Sequence, residues 1–174
     1  MCVFSLISRA VGRLAANVSK NAFLIYISYN VCIIQVYLMQ FLTKTFYFCA
    51  AHQYGHADWT TEKNLEVFKE DAKVHGHNYT LEITVKGEIN PETGFIIELG
   101  HLRVVVEKNI IDVFDHAQIE KDIAWFKDKQ PSSENMVLFI WETIEPLIKD
   151  VALHRVRLIE TPTIKTDYYG PDCC

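Results

Sequence analysis

Acidic residues are absent from the first third of this sequence. Residues 1–57 contain no Asp or Glu, and residues 21–43 contain no charged residue of either sign. The rest of the chain carries all 22 acidic residues, and the net charge is -5. The sequence has no basic stripe of the kind that nucleic-acid binding requires. We therefore expect two regions of different character and no nucleic-acid partner.

Cysteine is also scarce. The five cysteines have neither the spacing of a zinc ribbon nor the density of a secreted disulfide scaffold. A reducing, cytoplasmic compartment is the simplest assumption. At 174 residues the chain is long enough for one domain with a substantial hydrophobic core.

The acid-free region allows three interpretations. Residues 1–20 combine three basic residues with small and apolar ones, which is typical of an organelle-targeting presequence. Residues 23–42 are about long enough to span a bilayer and tether the protein to it, but polar residues interrupt them, which disfavours a membrane span. The interpretation that we favour is that the physiological start is Met39 and that residues 1–38 come from an upstream start assignment.

A His-Gly-His motif opens the most regular alternating segment, residues 75–86. Because successive side chains of a strand point to opposite faces, His75 and His77 share one face, with Cα atoms about 6.6 Å apart. That face also carries the apolar residues Tyr79, Leu81, Ile83 and Val85. Two imidazoles at this spacing can bind one metal ion.

A third histidine is placed in the same way. Residues 43–52 form an earlier alternating segment, and His52 ends it on the apolar face. Three histidines from two strands match an open catalytic zinc site, in which one position is left for water or substrate. The rival third ligand, His56, lies in a loop over residues 53–74 that contains a helical turn near residues 62–68. We therefore predict that Zn²⁺ is bound by His52, His75 and His77.

The remaining chain alternates helical and extended patterns. The order ββααββ predicts an α+β fold, with a four-stranded antiparallel sheet and two helices on one face. We assign residues 1–42 to an N-terminal extension, residues 43–170 to one domain and residues 171–174 to a tail. The further predicted elements are a turn at 87–94, an extended piece at 95–97, a helix from Glu98 to about 114, a helix from Ser132 or Ser133 to Pro146, and strands at 153–160 and 165–170.

Several polar residues are unusual for their setting. Glu160 lies on the apolar face of its strand, where an unpaired carboxylate is costly, so it requires a partner. Asp115 and His116 follow each other at a helix end, as either a capping pair or an acid/base pair. Asp71, in the loop before the His-Gly-His motif, would most often be a solvated acid. Cys49 alternates away from His52, and we interpret it as a small packing residue.

With these residues in view, the chain resembles the 6-pyruvoyltetrahydropterin synthase family, which includes 6-carboxytetrahydropterin synthases. The similarity covers about residues 43–170 and rests on six motifs in order. The resemblance implies the tunnelling fold, with trimers that stack as a homohexamer and active sites between subunits. The motifs are Phe48-Cys49-Ala50-Ala51-His52, His75-Gly76-His77-Asn78-Tyr79, Gly94-Phe95-Ile96-Ile97, Phe114-Asp115-His116, Ser132-Ser133-Glu134-Asn135 and Ile159-Glu160-Thr161-Pro162.

The resemblance also implies a reaction and roles for single residues. The implied substrate is 7,8-dihydroneopterin triphosphate, from which triphosphate leaves after a base removes a carbon-bound proton. Zinc polarises the side-chain hydroxyls, and the product is a 6-pyruvoyl, 6-carboxy or 6-hydroxymethyl pterin of the biopterin, queuosine or folate route. The implied roles are zinc ligation by the three histidines, an acid/base relay of Asp115 and His116, and a pterin ring anchored by Glu160 with help from Ser132, Ser133 and Glu134.

One position departs from the family pattern. Members with pyruvoyl or carboxy chemistry carry a catalytic cysteine just before the His-Gly-His motif, where this chain has Asp71 preceded by Glu70. A thiolate is a strong base near neutral pH, whereas an unperturbed carboxylate is a weak one. Asp71 or Glu70 can replace the thiol, as glutamate does in a family variant that gives 6-hydroxymethyl-dihydropterin. The alternative is a homologue that binds pterin without turnover.

Overall fold

A computed structural model describes the backbone of residues 22–25 and 34–37, and residues 39–171 in full. The chain forms two units, residues 1–39 and 40–174. In the first unit, strands β1 (Ala22–Ile25) and β2 (Ile34–Tyr37) pair antiparallel. The predicted presequence lies outside the described residues. Within the described part of the chain, no helix has the length and apolar character needed to cross a membrane.

The second unit is built on a four-stranded antiparallel sheet in the order β3-β4-β5-β6. The first strand begins at Gln40 rather than at Thr43, because residues 40–42 continue the pairing with β4. The last strand ends before Gly170, whose φ of 94° is incompatible with an extended strand. The strands are β3 (Gln40–His52), β4 (His75–Gly87), β5 (Ala152–Thr161) and β6 (Ile164–Tyr168).

Within residues 39–171, four α-helices accompany the sheet, two more than the ββααββ pattern predicted. Helix α1 (Thr61–Phe68) and a 3₁₀ turn (Lys69–Ala72) occupy the predicted loop, and α3 (Ile119–Asp122) lies between the two predicted helices. The predicted helices are α2 (Leu99–Val106), which continues through a π turn (Glu107–Ile111) and a last turn (Asp112–Phe114), and α4 (Ser133–Ile144).

The predicted extended piece at residues 95–97 is wrong. The Asn90 N–H donates to the Phe95 carbonyl and the Gly94 N–H donates to the Asn90 carbonyl, which closes a compact turn before α2. Gly94 has a φ of 75°, the left-handed conformation that glycine adopts without steric cost. Residues 96 and 97 are therefore bends that lead into the helix.

One hydrophobic core connects the sheet with α2 and α4. Burial of each such side chain contributes about 1.5–3 kcal/mol, and this packing fixes the strands that carry the histidines. Strict alternation along β5 would place Leu153 on the face of Arg155 and Arg157. A bulge between Thr84 and Val85 shifts the pairing of β4 with β5, and Leu153 is buried instead. Fully buried members of the core include Leu81, Ile83, Leu102, Val106, Ile140, Ile144, Val156 and Leu158.

Candidate metal and pterin site

Strands β3 and β4 bring three histidines together. Their register pairs His52 with His75 and Ala50 with His77, so the shared parity places the three imidazoles on one face. One ring nitrogen of each histidine lies within 4.8 Å of the other two, an arrangement that can hold a metal ion. His56, the rival ligand, is outside this group and packs its ring on Trp59, with 4.2 Å between centroids. We call the three residues the histidine group.

Gly76 allows the two strands to approach closely at this group. A Cβ at this position would lie 3.1 Å from the carbonyl oxygen of Ala50, which is tighter than ordinary contact. Because that oxygen belongs to the backbone of β3, it cannot retreat without disturbing the strand pairing. The glycine between the two histidines therefore keeps β4 against β3.

Among the residues that the structure describes, two nitrogen atoms of the histidine group find no hydrogen-bond partner. The Nε2 atoms of His52 and His77 are both buried and unpaired. Each lies 3.5 Å from Oε1 of Glu160. Buried polar atoms are normally satisfied, so two orphaned nitrogens that converge on one point fit a cation between them.

Backbone carbonyls orient two of the rings. Nδ1 of His52 lies 2.8 Å from the Pro131 carbonyl oxygen, and Nδ1 of His75 lies 2.9 Å from the Lys73 carbonyl oxygen. Donation from Nδ1 leaves the lone pair of Nε2 free, as metal-binding histidines require. Burial also lowers the pKa of His52 below its ordinary value, which keeps the ring neutral and able to bind metal.

Glu160 lies at the centre of this site. Its side chain is 11% exposed, and Oε1 lies 3.5 Å from the hydroxyl of Tyr79 as well as from the two histidine nitrogens. Tyr79 is almost fully buried, and this burial raises the pKa of its hydroxyl above the ordinary range. The phenol therefore remains a neutral donor toward the carboxylate.

The segment predicted to help bind pterin has mixed roles. The Ser132 side chain caps α4 by accepting the Asn135 N–H, and Ser133 is buried with Oγ 2.8 Å from Oγ1 of Thr166. Glu134 is exposed. Ser133 therefore connects α4 with the sheet and Ser132 caps the helix, whereas Glu134 is exposed and open to a ligand.

Tyr54 connects Glu134 with the histidine group. Its ring packs against that of His52, with 5.2 Å between centroids. Burial raises the pKa of Tyr54, and the negative charges of Glu160 and Glu134 raise it further. Both carboxylates therefore act electrostatically on the same tyrosine.

A cleft of about 590 Å³ lies beside the histidine group. Tyr54, Lys73 and Pro131 line it, and the last two supply the carbonyls that orient the histidines. Lys127 and Lys129 also line the cleft. Its volume is within the range of small-molecule sites, and its three lysines outnumber Glu120, the acidic residue of the lining.

Asp71 and Glu70 have different surroundings. Oδ1 of Asp71 lies 3.9 Å from Nε2 of His75, and the Asp71 carbonyl accepts the Tyr54 N–H. The Glu70 carboxylate instead pairs with the Lys73 ammonium at 2.7 Å and is 86% exposed. The structure therefore brings Asp71, and not Glu70, to the histidine group.

Asp115 and His116 belong to a second cluster, with Cys49. Oδ1 of Asp115 accepts the Cys49 backbone N–H at 2.9 Å, and Oδ2 lies 2.9 Å from Nδ1 of His116. The bond from the Cys49 N–H is the main cause that lowers the pKa of Asp115 below its usual value. The Cys49 thiol is partly exposed and lies within 4.8 Å of ligand atoms of both residues.

Comparison with known proteins places these observations in a family. A model of 6-pyruvoyl tetrahydropterin synthase matches residues 41–171. The chain belongs to the 6-pyruvoyl tetrahydropterin synthase family. The resemblance carried by the six motifs is thus confirmed, and the fold and class are those of pterin-processing lyases.

Individual relatives agree with this assignment. The 6-pyruvoyl tetrahydrobiopterin synthase of Drosophila melanogaster is 36% identical over 134 residues, covering 75% of this chain and 80% of the relative. The solved 6-pyruvoyl tetrahydropterin synthase of Caenorhabditis elegans has a TM-score of 0.71 at 27% identity, covering 76% of this chain and 96% of that one. A solved Plasmodium vivax synthase, with a catalytic glutamate replaced by cysteine, has a TM-score of 0.52 at 19% identity, covering 76% and 98%.

Some residues of the site were not singled out from sequence. Tyr79 shares the strand parity of the histidines, so the sequence predicts the face on which it lies. Its contact with Glu160 depends on the pairing of β4 with β5, which the sequence does not give. The contacts from Pro131 and Lys73 are made by backbone carbonyls, which no pattern of side chains in the sequence predicts. Tyr54 follows the end of β3, where strand alternation no longer gives direction.

Proposed function

We propose that this protein is a zinc-dependent lyase that acts on 7,8-dihydroneopterin triphosphate or a close relative. The observation that carries the proposal is the pair of buried, unpartnered Nε2 atoms of His52 and His77, both directed at Glu160. With His75 they offer three imidazoles, the ligand set of open catalytic zinc sites. Zinc, when bound, supplies Lewis acidity toward substrate hydroxyls.

Glu160 is proposed as a further oxygen ligand. Ligand atoms of a tetrahedral zinc site, at 2.0–2.1 Å from the ion, lie about 3.3–3.4 Å from one another. Oε1 of Glu160 lies 3.5 Å from Nε2 of both His52 and His77, close to this spacing. A substrate hydroxyl would then compete with this carboxylate for the metal.

The pterin ring requires a different carboxylate. The 2-amino-pyrimidinone edge lies at the opposite end of the bicyclic ring from the carbon that bears the side chain. If the side-chain hydroxyls reach the histidine group, that edge cannot also reach Glu160. We therefore propose Glu134, which is exposed and near Tyr54, as the acceptor for the ring edge, and the lysines of the adjacent cleft as the binding site for the triphosphate.

Asp71 is the proposed carboxylate base at the metal. Its distance of 3.9 Å from His75 supports it over Glu70, which is paired with Lys73. The Plasmodium vivax synthase has a catalytic glutamate, a precedent for a carboxylate in this fold. The competing proposal, a homologue that binds pterin without turnover, is supported by the 64% exposure of the Asp71 side chain.

We further propose that active sites form between subunits of a homohexamer, built as a dimer of trimers. Within one subunit, Asp115 and His116 belong to a different cluster from the histidine group. Among the described residues, β3 and β6 each pair on one side only, which leaves sheet edges for neighbouring subunits. The relay of one subunit would then serve the histidine group of the next.

Product analysis tests the proposed reaction. Metal-loaded protein is incubated with 7,8-dihydroneopterin triphosphate, and the product is identified by mass, because pyruvoyl, carboxy and hydroxymethyl pterins differ in mass. We expect a product that is absent when His75→Ala protein is used. Absence of any product while the pterin still binds would replace this proposal with the non-catalytic homologue.

Subunit mixing tests the shared site. His75→Ala and Asp115→Asn proteins, each inactive alone, are unfolded together and refolded as mixed oligomers. We expect activity to return in the mixture, because some interfaces then combine an intact histidine group with an intact relay. A mixture as inactive as its components, with oligomers of normal mass, would show that both clusters must lie in one subunit.

A further inference from the structure

We infer that Cys49 is a reactive thiol, activated by His116 and Asp115, which supplies the thiol that this chain lacks at Asp71. The catalytic part of this inference rests on the proposed lyase function and on sites shared between subunits. The reactivity of the thiol does not depend on either, so the two parts can be tested separately.

The hydrogen bonds of Asp115 arrange the other two residues as a unit. One carboxylate oxygen accepts the Cys49 backbone N–H and the other lies 2.9 Å from Nδ1 of His116. A proton on Nδ1 leaves Nε2 of His116 as an acceptor, which is the role of the carboxylate in catalytic triads. The Asp115 carboxylate also stabilises the imidazolium that forms when the ring takes a proton.

The backbone of His116 is held in an uncommon conformation. Its φ is 64°, in the left-handed region that few non-glycine residues occupy. The bond from its N–H to the Cys49 carbonyl, at 2.6 Å, and the bond from the Ala51 N–H to the Ala117 carbonyl hold this loop against β3. The backbone of His116 is therefore fixed beside the strand that carries the thiol, and its side chain, held by Asp115, is 79% exposed.

A cleft of about 450 Å³ gives the thiol access to a small molecule. Reactive cysteines are partly exposed and close to a basic group, whereas buried structural ones are inert. Cys49 meets both conditions, since it is partly exposed and lies near His116. The titratable residues that line the cleft are Cys49, His77, His116 and Asp122.

The proposed chemistry is a proton transfer within the pair followed by one from the substrate. The Cys49 thiol gives its proton to His116, which forms a thiolate and an imidazolium. The thiolate then takes a carbon-bound proton from the pterin side chain, the C–H electron pair forms a C=C bond, and triphosphate leaves with the electrons of its C–O bond. Two adjacent carbons of the substrate side chain each carry a hydroxyl group and a hydrogen. Asp71 could remove the hydrogen of one carbon as a proton, and Cys49 that of the other.

Alkylation by iodoacetamide tests the thiol without any pterin. Peptide mass spectrometry follows the rate at Cys49, with Cys173 and Cys174 as internal reference thiols. Asn tolerates a left-handed backbone, so His116→Asn removes the base without straining the loop. We expect alkylation to be about tenfold slower in His116→Asn and in Asp115→Asn, because an unactivated thiol is only a few per cent thiolate near pH 7. His101→Asn, a change on exposed α2 surface, should not alter it.

An unchanged rate in His116→Asn would overturn the inference. For the catalytic part, Cys49→Ser keeps the size of the side chain and removes the thiol. We expect its turnover to fall about 100-fold or more, while bound metal stays at the wild-type level. Wild-type turnover in Cys49→Ser would refute the catalytic role even with a reactive thiol. Absence of product from the wild-type protein would instead refute the proposed function, and the alkylation result would stand.

Discussion

The Nε2 atom of His52 lies 3.5 Å from Oε1 of Glu160, and both side chains are largely withdrawn from solvent. The same oxygen is equally far from Nε2 of His77. Groups from β3, β4 and β5 therefore converge on a single point, although the histidines and the glutamate are far apart in the sequence. Glu160 therefore lies beside the candidate metal ligands, which supports its proposed role at the metal and leaves Glu134 as the proposed acceptor for the pterin ring.

Replacement of Glu160 by Gln should weaken metal binding. Loss of a charged oxygen beside the imidazoles is expected to reduce metal affinity about tenfold or more, measured by competition with a chromophoric chelator. Glu134→Gln is the matched control, because it should keep metal affinity and reduce pterin binding. Wild-type metal affinity in Glu160→Gln would exclude Glu160 as a ligand.

Removal of one imidazole should abolish stoichiometric metal binding. His75→Ala is the preferred variant, because its side chain is 29% exposed, whereas His52 is fully buried and its loss would also disturb the core. Metal content after purification, measured by inductively coupled plasma mass spectrometry, should fall far below one ion per chain. His56→Ala should retain the wild-type content, and equal loss in both variants would argue against the proposed ligand set.

Metal-free protein should lose stability on acidification through the ordinary titration range of histidine. Because burial lowers the pKa of His52 in the folded chain, the unfolded chain binds more protons below about pH 6.5. The contribution of His52 is fully present above that range and is lost as the pH falls. Urea unfolding between about pH 7.5 and 5.5 should show a steeper loss for wild type than for His52→Gln. Parallel curves would contradict the prediction.

Asp71 and Glu70 should differ in their effect on turnover. Asp71→Ala is expected to reduce kcat about 100-fold or more, as the loss of a general base does. Glu70→Ala removes a neighbouring carboxylate that is paired with Lys73, and it should leave kcat nearly unchanged. Metal content is measured in parallel, since Asp71 lies close to His75. Equal activity of both variants would remove Asp71 from the mechanism.

Gly76→Ala should destabilise the protein and weaken its metal site. The added methyl group would lie 3.1 Å from a backbone oxygen of β3, and overpacking of this kind costs about 1–3 kcal/mol. Gly55→Ala is a suitable control, because its methyl group would meet only the Asn64 side chain, at 3.6 Å. Denaturant unfolding with a chelator present separates the change in stability from the change in metal affinity. Equal stability of the two variants would contradict this account.

Strand alternation predicted more of this molecule than any other signal. It placed His52, His75 and His77 on one face, because β3 and β4 are regular over the whole of their pairing. It failed at Leu153, where a bulge changes the register. It placed Cys49 on the face away from His52 but could not show its neighbours Asp115 and His116, which arrive through the loop after α2.

The register of β3 against β4 has a consequence for folding. His52 and His75 are direct partners across the two strands, so a slip by one residue would turn one of them to the opposite face. An ion that binds only the correctly paired strands stabilises the folded chain by about 2.7 kcal/mol at a concentration 100 times its Kd. The supply of metal in the cell would then set the amount of folded protein as well as its catalytic rate.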